Sequence, residues 1–175
     1  SLARKKLGTI NCLINNAAID AVPKNNSNKY EYPSLDVWKK EIDVGLLASF
    51  LMIKYFGTHM CKQKFGSIIN IGSDLSVLAP NQDIYKSSYN NYYKPPTYSV
   101  VKFGLLGLTK YYASLFASKN VRVNMVSPGP VKNIQKKKLI SEIKNLIPMK
   151  KMSKPEYIFG VLKFLAEDLT IMPFK

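Results

Sequence analysis

Residue types that build metal and disulfide sites are scarce in this chain. Its 175 residues include two cysteines and one histidine. Cys12 lies in an apolar segment and Cys61 near a predicted helix end, so they form no disulfide framework and indicate reduced thiols in a cytoplasm. His59 has no cysteine, histidine or carboxylate cluster beside it in the sequence, so we expect no metal site.

Arginine and acidic residues are also rare. Lysine and arginine total 26 against 11 aspartates and glutamates, a formal net charge of +15, yet Arg4 and Arg122 are the only arginines. Nucleic-acid recognition relies strongly on arginine forks, and the lysines here are spread along the chain. We interpret the charge as a solvated surface and expect no nucleic-acid partner.

Long hydrophobic segments and targeting signals are missing too. No apolar run approaches the length of a membrane span, and residues 1–10 lack the apolar stretch of a signal peptide. With a hydrophobic fraction of 46%, the chain is long enough to bury one core. We therefore expect a single domain over residues 1–175 and no membrane partner.

The glycine motifs that bind phosphate groups are absent as well. The sequence contains no Gly-x-Gly-x-x-Gly loop, no P-loop and no Gly-x-Ser-x-Gly nucleophile elbow. It therefore has no recognisable cradle for a pyrophosphate at a helix N-terminus.

Apolar patterns predict strands that alternate with helices. Residues 9–15, 67–71 and 121–126 are short, apolar and bounded by turns, which is typical of buried strands. Ser34 predicts the N-cap of one long helix, and Pro95 and Pro96 lead into a second. This alternation predicts an α/β fold with a parallel sheet and flanking helices.

Recurring apolar residues predict the inner faces of these helices. In the first helix they are Trp38, Ile42, Leu46, Phe50 and Ile53, and in the second Val101, Leu105, Leu108, Tyr112 and Leu115. Residues 132–152 are rich in lysine and have a helical pattern at Leu139, Ile143 and Leu146, and we interpret them as a flexible flap. Ser153 and Glu156 predict a capping box for a last helix that ends near Asp168.

Three residues form a candidate reaction centre. Tyr98 and Lys102 stand four positions apart, a spacing that places both on one helix face, and Ser73 follows the second predicted strand. An adjacent ammonium favours the ionised phenol, so we expect Lys102 to lower the pKa of Tyr98 from about 10 toward neutrality. With the Ser73 hydroxyl aimed at the same substrate oxygen, the trio predicts proton transfer during a carbonyl–alcohol interconversion.

Four blocks in chain order resemble the short-chain dehydrogenase/reductase family: INCLINNAAI, GSIINIGS, Tyr98-x-x-x-Lys102 and VRVNMVSPGPV. The resemblance covers residues 7–131 nearly continuously and residues 153–169 more loosely. It implies a Rossmann-like parallel sheet, of which this chain would hold three strands. It also implies a fragment that lacks the family's N-terminal glycine-rich part, and a homodimer or homotetramer in the full-length form.

The resemblance implies roles for particular residues. Ser73 would orient a substrate carbonyl, Tyr98 would exchange its proton, and Lys102 would act on Tyr98 and on the nicotinamide ribose of NAD or NADP. The residues implied to bind that cofactor, besides Tyr98 and Lys102, are Asn15, Asn16, Ala17, Ala18, Pro128, Gly129, Val131 and Asn133.

The chain departs from the family pattern at several points. Gly45 stands where many members carry the asparagine of a catalytic tetrad, and either close helix packing or an active-site role could explain it. Ala18 replaces a glycine, which is tolerable if its φ is negative. Residues 74–97 form a longer, polar and aromatic insertion beside the active site. The sequence of this insertion resembles that of a bacterial subgroup linked to sugar and flagellin modification, which suggests a sugar-type substrate in surface-glycan biosynthesis.

Three functional hypotheses remain open at this stage. The first is an NAD(P)-dependent oxidoreductase that interconverts a carbonyl and a secondary alcohol in a small-molecule substrate. The second is a truncated, non-catalytic remnant or interaction domain, favoured by Gly45 and the missing glycine loop. The third is a basic module that binds nucleic acid or acidic surfaces.

Overall fold

The computed structural model describes residues 6, 8–20, 33–89 and 92–167. Three parallel strands, β1 (Cys12–Asn15), β2 (Gly66–Ile71) and β3 (Val121–Val126), form one sheet in the order β1-β2-β3. The predicted α/β class with a parallel sheet is confirmed. The first strand is shorter than predicted, because its pairing with β2 begins where the Ser67 N–H donates to the Asn11 carbonyl, 2.9 Å.

Helix α1 (Leu35–Gln63) connects β1 to β2 in the chain. Ser34 is its N-cap as predicted, and its hydroxyl accepts a hydrogen bond from the Val37 N–H at 3.5 Å. Two π-helical turns, Asp43–Leu47 and Ile53–Gly57, interrupt the α-helical pattern. These wider turns shift the inward face away from the predicted stripe. The buried positions recur every four residues, at Glu41, Gly45, Ser49 and Ile53.

By length and composition α1 could cross a membrane, since an 18-residue window has a mean hydropathy of 1.3. The expectation that no segment approaches this length is therefore wrong. Length and composition alone are weak evidence of a span, and 28% of that window is buried inside the protein. Ile53 and Met60 are fully buried, and both pack in the main hydrophobic core with Ile68 of β2.

Helix α3 (Pro96–Phe116) covers the same core. Val101, Leu105 and Tyr112 are buried as predicted, but Leu115 is 52% exposed and Phe116 takes its place in the core. Phe116 lies four residues after Tyr112, so it continues the inner stripe of the helix.

Three shorter helices complete the described chain: α2 (Gln82–Ser88), α4 (Lys137–Leu146) and α5 (Glu156–Ala166). The predicted helix within residues 132–152 is α4, with Leu139 and Ile143 buried and Leu146 54% exposed. Leu139 and Ile143 form a second core cluster with Met152. Residues packed against it include Ile84, Tyr85 and Tyr89, so α4 lies on α2.

The predicted capping box of the last helix is wrong. Pro155 is the N-cap residue of α5 and no side chain caps it. Ser153 instead forms an isolated β-bridge with Val131, in which the Ser153 N–H donates to the Pro130 carbonyl at 3.0 Å. The bridge fixes the two ends of residues 132–152 to each other. Helix α5 ends at Ala166, two residues before the predicted end near Asp168, and Asp168 itself lies outside the described residues.

Candidate active site

The candidate site lies at the carboxyl ends of the three parallel strands. Asn16 to Ala18 follow β1, Ser73 follows β2, and Pro128 to Asn133 follow β3. In open α/β sheets, ligands bind outside this edge. Parallel pairing therefore brings together segments that are more than fifty residues apart in sequence.

Ser73 begins a short 3₁₀ turn, Asp74–Ser76, directly after β2. Its side chain is 7% exposed. The Ser73 hydroxyl accepts from the Leu75 N–H at 3.2 Å and donates to Asp74 Oδ1 at 2.7 Å. The Asp74 N–H donates to the Pro128 carbonyl at 3.0 Å, which ties this turn to the loop after β3.

Tyr98 and Lys102 lie in the first turns of α3, which begins at Pro96. A backbone N–H at the first helical position has no partner within the helix, so proline, which lacks this N–H, suits that position. Lys102 is 4% exposed, and its Nζ donates to the Ile71 carbonyl at 2.8 Å. The same Nζ lies 5.5 Å from the centroid of the Tyr98 ring. The ammonium is thus anchored at the end of β2, beside the phenol.

The pKa of Tyr98 does not shift in the expected direction. Burial raises it above the ordinary value of 10.0, a side-chain hydrogen bond with Ser73 opposes the rise, and the carboxylates of Asp20 and Asp74 add to it. Burial also lowers the pKa of Lys102, opposed by Asp20 and aided by Lys94. Desolvation, which the spacing argument did not include, decides the sign.

Residues that the sequence argument missed surround the phenol. The Lys94 Nζ lies 4.1 Å from the centroid of the Tyr98 ring and pairs with the Asp20 carboxylate. The pKa of Tyr85 on α2 is raised to about 12. Burial is the largest cause, and the nearby Asp20 and Tyr98 add to it. The repeat Lys94-x-x-x-Tyr98-x-x-x-Lys102 was visible in the sequence, but Lys94 precedes Pro95 and lies outside the helix.

Asn15 is expected to bind the cofactor, but its side chain is buried and hydrogen-bonded to the neighbouring strand β2. It is 7% exposed, and its Nδ2 donates to Asn70 Oδ1 at 2.8 Å. Asn70 Nδ2 donates to Thr109 Oγ1 at 2.9 Å, and Thr109 Oγ1 donates to the Leu105 carbonyl at 2.7 Å. These hydrogen bonds link β1, β2 and α3, so the side chain of Asn15 stabilises the fold.

The remaining expected cofactor residues lie on the loops of the same edge. Asn16, Ala17 and Ala18 are exposed. Lys64, Asn120 and Lys150 are the non-glycine residues with positive φ in the described ranges, so Ala18 adopts an ordinary backbone conformation in place of the family's glycine.

After β3, the loop presents the second group of expected cofactor residues. Pro128, Gly129 and Val131 are partly exposed, and a Cβ added at Gly129 would meet no atom within 4 Å. The Asn133 N–H donates to Gln135 Oε1 at 2.6 Å, which closes a small turn. These residues leave open space where a flat ligand could approach the backbone.

Gly45 is explained by close helix packing. A Cβ at this position would lie 2.6 Å from Cγ1 of Val101 on α3, below any ordinary contact distance. The structure thus decides between the two interpretations of the missing tetrad asparagine, because Val101 fills the space that a larger side chain would need.

We expect Gly45→Ala to lower the free energy of unfolding by about 1–3 kcal/mol through overpacking. Gly107→Ala is the matched control, since its Cβ would meet nothing within 4 Å and it should raise stability by about 0.5–1 kcal/mol. Urea denaturation measures both. Val101→Ala carries a cost of its own, so the test compares backgrounds: Gly45→Ala should cost much less in a Val101→Ala chain than in the wild type. An equal cost in both backgrounds would contradict the packing account.

Among the described residues, no group of three or more histidine, cysteine, aspartate or glutamate side chains is arranged to hold a metal ion. The groups gathered at the site are the Ser73 hydroxyl, the Tyr98 phenol, the ammonium groups of Lys94 and Lys102, and the carboxylates of Asp20 and Asp74. The parallel sheet and this site define a Rossmann-like α/β protein with a Ser-Tyr-Lys centre.

Comparison with known proteins agrees with this class. The family profile described as enoyl-(acyl carrier protein) reductase matches residues 1–172. A 3-oxoacyl-[acyl-carrier-protein] reductase of Synechocystis is 33% identical over 165 residues, covering 93% of this chain and 60% of the relative. A protein of Rhizobium meliloti named as a probable galactose dehydrogenase is 30% identical over 169 residues, covering 93% and 59%.

A solved structure of a short-chain dehydrogenase from Leptospira borgpetersenii, with bound NAD⁺, superposes with a TM-score of 0.84 at 25% identity. The match covers 97% of this chain and 62% of that one. The chain belongs to the short-chain dehydrogenase/reductase family. It spans about three fifths of the length of the curated relatives it matches.

Proposed function

We propose that this chain forms the catalytic part of an NAD(P)-dependent oxidoreductase that interconverts a carbonyl and a secondary alcohol. The observation that carries the proposal is the meeting of Ser73, Tyr98 and Lys102 at the carboxyl end of β2. The Ser73 hydroxyl and the Tyr98 phenol interact directly, and the Lys102 ammonium is held beside them by the Ile71 carbonyl.

Each residue has a distinct task in carbonyl reduction. Ser73 and Tyr98 donate hydrogen bonds to the carbonyl oxygen, which positions the substrate and stabilises the developing alkoxide. Tyr98 then transfers its proton to that oxygen, and in alcohol oxidation the ionised phenol takes it back. The phenol is protonated at neutral pH and can donate in reduction, while burial raises its pKa and so disfavours the phenolate that alcohol oxidation requires.

A nicotinamide dinucleotide, when bound, supplies or accepts the hydride. The exposed turn at Asn16 to Ala18 and the open backbone at Gly129 fit the approach of its nicotinamide half. Lys102 would contact its ribose, and Pro128, Val131 and Asn133, on the loop after β3, would lie beside the nicotinamide. The sequence contains no glycine-rich cradle for the pyrophosphate.

The substrate side is formed by the insertion at residues 74–97 and the flap at residues 132–152. The contact of α4 with α2 supports this pairing. The insertion supplies Tyr85 and Lys94 to the surroundings of Tyr98. A polar, aromatic wall fits a substrate rich in hydroxyl groups, such as a sugar in surface-glycan biosynthesis. Cys12 and Cys61 are both free thiols, which agrees with an enzyme of the reducing cytoplasm.

The test is fluorescence titration of the 175-residue chain, and of any longer product of the gene, with NADH and NADPH. Turnover of carbonyl substrates follows with the preferred dinucleotide. Saturable binding with turnover supports the proposal and selects the cofactor. Absence of dinucleotide binding in every form would favour the non-catalytic remnant instead.

We also propose that a second copy of the chain packs on an apolar groove of about 520 Å³ between α1 and α3. Its lining includes Leu46, Leu47, Phe50, Gly104 and Leu108. Neighbouring Leu51 and Phe103 are 50% and 47% exposed, so the groove continues into an apolar surface that suits a self-complementary interface.

Leu47→Asp is expected to reduce the solution mass of the oligomer, because it places a carboxylate in this groove, where Leu47 is 44% exposed. Light scattering after size exclusion measures the mass. The control is Leu78→Asp, an equally exposed leucine outside the groove at 58%, which should leave the mass unchanged. A monomeric wild type, or an oligomer that Leu47→Asp leaves intact, would contradict the interface.

A further inference from the structure

Lys94 places a second, buried ammonium group at the candidate reaction centre. Its side chain is 8% exposed, and its Nζ lies 4.1 Å from the centroid of the Tyr98 ring and 5.8 Å from that of Tyr85. A buried ammonium requires a partner, because leaving it unpaired is costly. In this structure its partner is the Asp20 carboxylate.

The backbone of Lys94 is held firmly. Its N–H donates to Gln82 Oε1 at 2.9 Å, and Gln82 Nε2 donates to its carbonyl at 3.2 Å. This reciprocal pair ties Lys94 to the first residue of α2. The ammonium is therefore aimed at the face of Tyr98 by a fixed piece of chain, as an orienting group must be.

The two members of the Lys94–Asp20 pair differ greatly in exposure. The Asp20 side chain is 65% exposed, whereas that of Lys94 is almost fully buried. Asp20 can therefore turn into water at low cost, while Lys94 cannot. An ammonium has three donors, so a second carboxylate arriving beside Tyr98 can share or replace Asp20.

The other carboxylate at the site, that of Asp74, is already hydrogen-bonded within its own turn. Asp74 Oδ1 accepts hydrogen bonds from the Ser73 hydroxyl at 2.7 Å and from the Leu75 N–H at 2.9 Å. It is thus a member of the turn that holds Ser73. Lys94 is the buried cation whose partner is exchangeable, since Lys102 is anchored to the Ile71 carbonyl.

We propose that Lys94 is a specificity-determining residue that selects carbonyl substrates bearing a carboxylate, with Asp20 as its counter-ion in the free chain. The inference rests on the proposed function, because it places the carbonyl between Ser73 and Tyr98. The substrate carboxylate displaces Asp20 from the Lys94 ammonium, and no covalent bond changes. The substrate class is then an oxo acid or its hydroxy-acid product, including sugar acids.

The experiment compares acids with their uncharged methyl esters. Binding of 2-oxopentanoate, 4-oxopentanoate and the two esters to the full chain is measured by isothermal titration calorimetry, with and without NADH. The wild type should bind at least one acid about tenfold or more tightly than its ester, as expected for a charge-assisted contact. Lys94→Met should abolish that preference, and Lys94→Arg should retain part of it.

Two further variants separate recognition from structural support. Asp20→Asn frees the ammonium and should tighten acid binding without affecting the esters. Lys163→Met is the control, since Lys163 also pairs with a carboxylate, that of Glu167 at 3.9 Å, but lies on α5, outside the insertion and the flap. It should leave the acid preference unchanged.

Each result has a defined meaning. Equal binding of acid and ester by the wild type, no binding of any acid, or weaker acid binding in Asp20→Asn would overturn the inference. If the wild type reduces esters without preferring acids, the inference fails while the proposed function stands. If acids bind through Lys94 but no carbonyl is ever reduced, the proposed function fails and the binding role remains.

Discussion

Tyr98→Phe is expected to lower the turnover of carbonyl reduction about 10²–10⁴-fold, the usual contribution of a positioned general acid. The substitution removes the phenol oxygen and keeps the ring, whose centroid lies 4.1 Å from the Lys94 Nζ and 5.5 Å from the Lys102 Nζ. Packing should therefore change little. Dinucleotide affinity, measured by the fluorescence titration, should stay within a few-fold of the wild type.

The matched control is Tyr111→Phe on the same helix, where the ring is 63% exposed and lies far along α3. It should leave turnover unchanged. The pH profile adds a second readout, because a Tyr98 pKa above 10.0 keeps the proton donor present at neutral pH. Reduction should be level around neutrality, and alcohol oxidation should rise steadily toward alkaline pH. Comparable losses in both variants would refute the assignment of Tyr98.

Asn70→Ala is expected to lower the free energy of unfolding by about 2–4 kcal/mol, a large share of a small domain's stability. Asn70 is fully buried and bonds Asn15 at 2.8 Å and Thr109 at 2.9 Å. Its loss leaves the Asn15 amide without an acceptor inside the fold and leaves a cavity. Urea denaturation measures the change.

Asn124→Ala in the neighbouring strand β3 provides the comparison. Asn124 is half-buried and takes no part in the Asn15–Asn70–Thr109 chain, so its loss should cost less than about 1 kcal/mol. Asn15→Ala combined with Asn70→Ala should cost less than the sum of the single losses, because the two residues share one hydrogen bond. Strict additivity would show that their bond contributes nothing.

The sheet was predictable because a short apolar run between turns is most often a buried strand, and the three predicted strands are the three observed. The capping box at Ser153 was not predictable, because Ser153 pairs with Val131, a residue distant in sequence. The inner face of α1 was predicted in part. Ile53 is buried and Phe50 packs against the core, as the apolar stripe predicts. Glu41 and Gly45 are also buried although no apolar stripe includes them, and two π-helical turns interrupt the α-helical period after Ile42.

At the site, the sequence predicted which residues have the right chemistry but not how their surroundings act on them. The spacing of Tyr98 and Lys102 was sufficient to propose a pair. The direction of the Tyr98 pKa shift depends on burial and on Asp20 and Asp74, which only the fold brings near. Lys94 was missed for the same reason, since its partner Asp20 lies 74 residues away.

The asparagine pair across β1 and β2 also bears on how the strands find their alignment during folding. Asn15 and Asn70 are direct partners in the parallel ladder. Sliding β1 by one residue would turn Asn15 to the opposite face of the sheet. The Asn15–Asn70 hydrogen bond would then be lost, while Asn70 kept its bond to Thr109. Short apolar strands can pair in several registers of nearly equal energy. The Asn15–Asn70 hydrogen bond forms only in the native register and so favours it over the others.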